Sequence, residues 1–252
     1  MKRTVLLSLV LAGAATCLAS TSKEVSSANT IGLLQVTDTT KEYLLVAVPW
    51  LDYGTGSEAI KVADLIKTAT LTSGDKLYVS NGSGYDVYEL IDNNWTATKT
   101  ATIGANGAVT EADTPPATLN PIHRGDAIWL KRSKSNKNPF YIFGQKPDVA
   151  TVNVTVAEGL NLVASPSANG LVLSSGIAGS GVGDEIIVNS DSGEEAHYYF
   201  RAPTAGGNAC WCKKQNKTGS VRKEYVATTA SDVISAGTGF WYKAAKAGTI
   251  TL

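Results

Sequence analysis

The chain is poor in methionine, histidine and charged residues. Its 252 residues include one methionine, two histidines and only 17% charged residues. His123 and His197 do not occupy matching positions, and no serine- or cysteine-centred motif accompanies them. A hydrolytic triad therefore has little support. The composition favours a protein that is not an enzyme and uses no cofactor.

The chain also lacks a charge excess of either sign, with 22 basic and 22 acidic residues. Loss of two basic residues with an N-terminal leader would leave a small acidic excess. Such a balance produces no long-range field that attracts nucleic acid or anionic membranes. Beyond the N-terminus, no apolar stretch approaches the roughly 20 residues of a transmembrane helix. We therefore expect neither a nucleic-acid partner nor a transmembrane segment.

Residues 1–19 are interpreted as a secretory signal peptide. Two basic residues precede an apolar stretch at 5–15, which is too short to span a bilayer. A small residue favours cleavage after Ala19, and Ala28 marks an alternative site. The sequence thus predicts a secreted protein, either extracellular or held at the cell surface.

Cysteine is scarce as well. The chain has three cysteines, and Cys17 belongs to the predicted signal peptide. Only Cys210 and Cys212 remain in the mature chain, too few for a disulfide framework. Free thiols, a strained bridge between the two, or a bridge between chains are the alternatives. One Cys-x-Cys with no histidine nearby supplies half of a tetrahedral site, so we expect no metal.

One pattern of hydrophobic residues and turns occurs twice along the chain. Val-Ala-Val-Pro at 46–49 returns as Val-Ala-Ser-Pro at 163–166, and Gly-Asp-Ala-Ile-Trp-Leu at 125–130 returns as Gly-Thr-Gly-Phe-Trp-Tyr at 237–242. The landmarks keep their order and nearly their spacing. The sequence therefore predicts two copies of one unit that differ in loop length.

Short β-branched or aromatic runs, bounded by Gly, Asn, Asp and Ser, predict strands throughout both copies. The predicted fold is all-β, with two tandem sandwich- or barrel-like modules at 29–146 and 151–252. The predicted strands are 31–36, 43–48, 76–80, 85–91, 95–100, 127–132 and 140–144 in the first module, and 152–156, 161–165, 185–189, 196–201, 209–213, 221–226, 239–244 and 249–252 in the second.

Turn and helix signals complete this outline. Asn-Gly-Ser-Gly at 81–84 predicts a hairpin turn, and Ser-Asp-Ser-Gly at 190–193 occupies the same place in the second copy. Apolar residues at helical spacing predict one short helix at 58–67. The matching residues 171–181 are rich in Ser and Gly, so we expect a loop there.

The second copy carries the clearest resemblance to known proteins. Glu-Gly-Leu-Asn-Leu-Val-Ala-Ser-Pro at 158–166 and Ile-Ser-Ala-Gly-Thr-Gly-Phe-Trp-Tyr at 234–242 resemble the Gly-Trp-Asn-Leu…Pro opening and Pro-Gly-x-Gly-Tyr-Trp closing of a small β-module of bacterial secreted and surface proteins. Leu160 replaces the usual Trp, and Ala236 the usual Pro. Residues 43–49 and 124–129 match more loosely. The resemblance implies an extracellular β-fold with an accessory or structural role.

Repeated polar motifs are interpreted as structural. Asp75 and Asp184 each follow a glycine before a strand, where aspartate bonds its own turn. Arg-Gly-Asp at 124–126 becomes Ala-Gly-Thr in the second copy. Only the glycine of the turn is retained, so the tripeptide is not expected to mediate adhesion.

Aromatic residues offer the candidate contacts. Trp95 and Trp129 recur as Trp211 and Trp241, which favours packing roles for all four. Trp50 has no counterpart, so we expect it to be exposed. The candidate ligand-binding residues are Trp50, Tyr53, Tyr85, Lys131, Arg132 and Lys134.

These features predict a secreted, non-enzymatic structural or extracellular binding protein. In one version it assembles with itself through exposed edges of its terminal strands, 31–36 and 249–252. The alternative is a glycan-binding module, with the aromatic candidates stacking on sugars and the basic residues contacting acidic groups. An enzyme would need carboxylates gathered from distant loops.

Overall fold

The structure is a computed structural model. It describes residues 31–36, 42–53, 55–66, 71–82, 84–103, 109–133, 139–167, 169–189, 195–203, 207–216 and 223–252. The predicted signal peptide and both cleavage sites lie outside these ranges. Residues 31–252 form one compact unit. The described part of the chain contains no helix of the length and apolarity needed to cross a membrane.

Strands dominate both halves of the unit. The first half contains β1 (Ile31–Val36), β2 (Tyr43–Ala47), β3 (Ala59–Ile60), α1 (Val62–Leu65), β4 (Lys76–Ser80), β5 (Tyr85–Ile91), β6 (Asn94–Ile103), β7 (Val109–Ala112), β8 (Ile122–His123), β9 (Ala127–Lys131) and β10 (Phe140–Gln145). The second contains β11 (Asn153–Val156), β12 (Gly159–Ala164), β13 (Leu171–Val172), a 3₁₀ helix (Leu173–Ser175), β14 (Glu185–Asn189), β15 (Glu195–Arg201), β16 (Cys210–Asn216), β17 (Lys223–Ala227), β18 (Val233–Ile234), β19 (Gly239–Ala244) and β20 (Gly248–Thr251).

The two halves share one topology. A six-stranded antiparallel sheet runs β2-β9-β4-β5-β6-β7 in the first half, and its counterpart runs β12-β19-β14-β15-β16-β17. Each half adds a ribbon, β1–β10 or β11–β20, and a short pair, β3–β8 or β13–β18. The predicted all-β fold with two tandem units is confirmed. The module boundaries at 29–146 and 151–252 stay a prediction.

Local signals succeed for long strands and fail for short elements. The predicted hairpin joins β4 to β5, where Gly82 has a φ of 85° and Ser80 pairs with Tyr85. The turn predicted at 190–193 lies outside the described residues. The helix covers only Val62–Leu65, because Ala59–Ile60 before it pair with β8. The loop expected at 171–181 contains β13 and the 3₁₀ helix, so that prediction is wrong there.

The halves meet through a reciprocal pair of contacts. The backbone N–H of Ala47 donates to the carbonyl of Gly237 at 3.0 Å, and that of Ala164 donates to the carbonyl of Gly125 at 2.7 Å. Ala47 and Ala164 are matching positions, as are Gly125 and Gly237. Together with Ala127, the two alanines are buried in a small cluster. The duplicated segments therefore contact each other as near-equivalents, as the subunits of a two-fold dimer do.

The first sheet curls on the face opposite its core. Glu111 on β7 lies at the far edge of the sheet, yet it reaches β4: its carboxylate accepts a hydrogen bond from Tyr78 Oη at 2.7 Å and pairs with Lys76 Nζ at 3.0 Å. Lys99 Nζ lies 3.5 Å from the same carboxylate. This cluster ties β7 back to β4 and β6.

Candidate functional site

Trp50 is buried, so the expectation of an exposed ring is wrong. Its side chain is 6% exposed and belongs to the core of the first half. Gly32 and Gly144 are cross-strand partners in the β1–β10 ribbon. A β-carbon on Gly32 would lie 2.5 Å from the Trp50 ring, and one on Gly144 would lie 2.7 Å from Trp50 Cβ. The glycine pair leaves the space that the tryptophan occupies.

The other candidate residues do not converge on one surface. Tyr85 is buried in a cluster against which Leu162 of the second half packs, and Arg132 is buried beside Asp75. Tyr53 is 50% exposed, and its ring packs edge-on against Phe143. Lys131 is half-buried with its ammonium over the Tyr43 ring. Lys134 lies outside the described residues.

Asp75 and Asp184 hold the same turn in the two halves, as predicted. Asp75 accepts the N–H of Thr72 at 3.0 Å and that of Ser133 at 2.6 Å. Asp184 likewise accepts from the N–H of Gly181 at 2.7 Å and from that of Ala245 at 2.8 Å. Both side chains are buried. Each aspartate therefore ties a strand-entry turn to the chain that follows β9 or β19.

The two aspartates differ in their third partner. Arg132 Nε lies 3.5 Å from the Asp75 carboxylate, with both side chains fully buried. Burial lowers the pKa of Arg132, and the negative charge of Asp75 opposes that shift. In the second half, Tyr242 donates its hydroxyl to Asp184. Burial is the main cause that raises the pKa of Tyr242, and the hydrogen bond to the Asp184 carboxylate raises it further.

The Arg-Gly-Asp tripeptide is built into the structure. Arg124 is 3% exposed and donates to the carbonyls of Val149 and Thr151 in the segment that leads into β11. Asp126 accepts the N–H of His123 at 2.7 Å. An adhesion receptor would need an accessible arginine, so the structural interpretation of this tripeptide is supported.

A cleft of about 640 Å³ adjoins the tripeptide. Its polar lining consists of Glu58, His123, Arg124, Asp126, Thr151, Asn153 and Thr155. Burial raises the pKa of Asp126, and the hydrogen bond from the His123 backbone opposes the shift. His123 Nδ1 lies 3.7 Å from the same carboxylate. Arg124 is already engaged by carbonyls, which leaves the cleft without a free guanidinium for an anion.

Metal coordination finds no support in the ranges that the structure describes, where no three His, Cys, Asp or Glu side chains gather in a metal-binding group.

The four repeated tryptophans are buried or half-buried. Trp211 is 1% exposed in the core of the second half, and Trp95 packs against the core of the first. Trp129 and Trp241 are half-buried, next to the buried Ile128 and Phe240.

The outward face of the β1–β10 ribbon is an exposed apolar surface. Ile31 is 59% exposed and Leu33 is 62% exposed, and Leu33 pairs with Phe143 of β10. Tyr141 and Tyr53 extend the same face. Sequence reasoning identified both strands but not this surface. The sequence of β1 contained a signal for it, because Gly32 faces inward and alternation then places Ile31 and Leu33 on the outward face.

The β11–β20 ribbon has a polar outward face. Asn153 and Thr155 are exposed there, opposite Thr251 and Thr249. Because the two ribbons occupy matching places in the topology, their outward faces can be compared directly. One carries isoleucine, leucine and aromatics, whereas the other carries threonine and asparagine.

The sequence predicted exposed edges on both terminal strands, and the structure differs between the two. The part of the chain that the structure describes has no strand on the outer edge of β1. At the C-terminus, the N–H of Thr251 donates to the carbonyl of Ala178 at 2.9 Å, so β20 lies between Ala178 and β11. The edge that the prediction expected to be exposed is therefore occupied at Thr251 by Ala178.

Cys210 and Cys212 are free thiols at the start of β16. Their sulfur atoms lie 3.7 Å apart. Cys212 is fully buried, and burial together with the neighbouring Cys210 raises its pKa to about 11, although Arg201 opposes the shift. Of the three alternatives, this arrangement corresponds to the pair of free thiols.

Comparison with known proteins yields no matching family model, no matching curated protein and no matching solved structure. The resemblance to small bacterial β-modules therefore stays a prediction.

Proposed function

We propose that the mature protein is a secreted, non-enzymatic structural or extracellular binding protein that associates with a second copy through the β1–β10 ribbon. The exposed apolar face of this ribbon carries the proposal. Ile31 and Leu33 are both more than half exposed, and exposed apolar side chains grouped on one face are typical of interaction sites.

The free edge of β1 makes a second copy of the chain the occupant of this face. An edge strand has unpaired N–H and C=O groups, which another strand satisfies best. Antiparallel pairing of β1 with β1 of a second copy would join the two edges by a two-fold axis. It would also extend the apolar face across both ribbons, including Tyr141 and Phe143 of each copy.

Self-association is tested by light scattering after size exclusion over a range of concentrations. We expect a concentration-dependent dimer that Leu33→Lys abolishes, because a charged side chain on an edge strand opposes pairing. Thr155→Lys is the matched control on the β11–β20 ribbon and should leave the dimer unchanged. A protein that is monomeric at every concentration, or equal loss in both variants, contradicts the proposal.

Secretion rests on the interpretation of residues 1–19 alone. It is tested by fractionating the producing cells and sequencing the N-terminus of the mature protein. We expect the protein in the medium or on the cell surface, beginning after Ala19 or Ala28. Intact protein confined to the cytoplasm contradicts this part of the proposal.

A further inference from the structure

The two thiols of β16 lie side by side on one face of the strand. Residues two apart in a strand point to the same side, and the Cys210 and Cys212 sulfurs are 3.7 Å apart. Trp211 between them points the opposite way, into the core. The corresponding tryptophan of the first half, Trp95, is flanked by Asn94 and Thr96. The dithiol is thus a feature of the second half alone.

The two sulfurs differ in access. Cys210 is half-buried, whereas Cys212 is fully buried and its thiol lies 3.4 Å from the carbonyl oxygen of Arg201. A dissolved reagent therefore reaches Cys210 first, and Cys212 reacts through Cys210. This division corresponds to an attacking thiol and a resolving thiol.

Strand geometry sets the properties of a bond between them. Two residues of strand separate their Cα atoms by about 6.6 Å, close to the upper limit of about 6.8 Å for a disulfide. Bond formation would bring the sulfurs from 3.7 Å to about 2 Å. Strained disulfides are more easily reduced than structural ones and are characteristic of reversible sites.

At the start of β16, Cys210 has a neighbouring strand on one side only among the described residues. The β16–β17 ladder stops at the Cys212–Ala227 pair, so Cys210 is paired only with Arg201 of β15. One neighbouring strand instead of two holds the residue that has to shift. The shift therefore leaves the β16–β17 ladder in place.

We propose that Cys210 and Cys212 are a reversible redox site that closes to an intramolecular disulfide by exchange with low-molecular-weight disulfides. The Cys210 thiolate attacks one sulfur of the oxidant RSSR, which forms a Cys210–SR mixed disulfide and releases RS⁻. The Cys212 thiol then loses its proton to solvent and attacks Cys210 Sγ, which breaks the Cys210–SR bond and releases the second RS⁻. The protein loses two electrons and two protons, and the oxidant becomes two RSH.

The test equilibrates the folded protein with mixtures of reduced and oxidised glutathione, traps free thiols with iodoacetamide and measures intact mass. Cys17 is replaced by serine throughout, so that two thiols remain. We expect the protein to change from a form with two alkylated cysteines to a form with none, whose mass is lower by two hydrogens. Half of the protein should be oxidised at a ratio of reduced to oxidised glutathione within the tested mixtures. Thiols that stay reduced at every ratio, or a species carrying two glutathiones, overturn the proposal.

Single variants test the order of the two steps. Cys212→Ser should accumulate one stable glutathione adduct on Cys210, because the resolving thiol is missing. Cys210→Ser should take up glutathione far more slowly, because Cys212 is buried. Equal adduct formation in both variants, or a Cys210-linked dimer as the main oxidised product of the unsubstituted pair, contradicts the assignment. This site is independent of the β1–β10 ribbon, so its test does not depend on self-association.

Discussion

The turns held by Asp75 and Asp184 show what the two halves of the molecule share and where they diverge. Both aspartates are buried, and both accept two backbone N–H groups from equivalent places. Their third partner is an arginine in one half and a tyrosine in the other.

The positions of these partners explain how the exchange is tolerated. Leu130 and Arg132 of the first half correspond to Tyr242 and Ala244 of the second. The third partner thus approaches from the same β9 or β19 segment, but from positions two residues apart. An ion-pair partner and a hydroxyl donor both fit because the backbone N–H groups already orient the carboxylate. The duplicated feature is the turn, and its third partner is free to change.

Removal of the arginine should have the largest effect on stability. Arg132→Ala leaves Asp75 buried without its counter-charge, and breaking a buried pair in this way costs about 3–5 kcal/mol. Urea denaturation measures the loss. Adding Leu130→Tyr to this variant imitates the second half and should recover part of it. A loss below about 1 kcal/mol would mean that water replaces the arginine.

Removal of the tyrosine hydroxyl should cost less. Tyr242→Phe deletes the hydrogen bond to the charged Asp184, a loss of about 1.5–3 kcal/mol, and also the 3.1 Å contact between the Tyr242 hydroxyl and Ser180 Oγ. Asp184 keeps its bonds from Gly181 and Ala245, and no buried cation is involved. The same denaturation experiment checks the ranking, which fails if Tyr242→Phe destabilises the protein as much as Arg132→Ala.

The two ribbons should respond differently to a single added methyl group. In the β1–β10 ribbon, Gly32→Ala places a β-carbon against the Trp50 ring, and overpacking of this kind costs about 1–3 kcal/mol. In the β11–β20 ribbon, Gly248→Ala meets no atom within 4 Å and should change stability by less than about 0.5 kcal/mol. Thermal unfolding of both variants measures the difference. Equal melting temperatures would show that Trp50 does not depend on the glycine pair.

The smallest expected effect concerns the Glu111 cluster of the first sheet. Burial would raise the pKa of Glu111, but Tyr78, Lys76 and Lys99 outweigh it and hold the pKa below its ordinary value. A lowered carboxyl pKa contributes stability above the unfolded value of about 4.3, and that contribution is lost as pH falls through the folded value. Glu111→Gln should therefore flatten the decline in unfolding free energy below about pH 4.3.

An exposed glutamate serves as the control for this measurement. Glu158→Gln changes the same chemical group on the surface of the second half and should leave the acid decline intact. If both variants flatten the curve equally, the cluster around Glu111 does not set its pKa.

Sequence reasoning located the long strands well because alternation and bounding turns are local. The bounds of β1, β4, β5, β14 and β19 agree residue for residue with the prediction. Pairs of two residues, such as β3 with β8, were missed because two residues carry no periodic signal. The helix was overestimated for the same reason, since Ala59–Ile60 fit a helical stripe but pair with β8.

The candidate site was less predictable. Trp50 was expected to be exposed because it has no counterpart, yet its burial depends on glycines 18 residues before it and 94 residues after it in the chain. Arg132 was a candidate for contacting acidic groups of a ligand, but its side chain is buried beside Asp75 and Phe140. Such contacts join distant segments and leave no mark within a short window of sequence.

The amino-acid sequence by itself determined the duplication, because the two copies share residues in the same order. It also determined the all-β class, the hairpin turn at 81–84 and the turn role of Asp75 and Asp184, because each of these depends on residues close together in the chain. Only the tertiary structure decided which aromatics are buried, which strand edge is free and which partner neutralises each aspartate. These properties depend on the packing of segments far apart in sequence, where a missing β-carbon or a single approaching side chain settles the outcome.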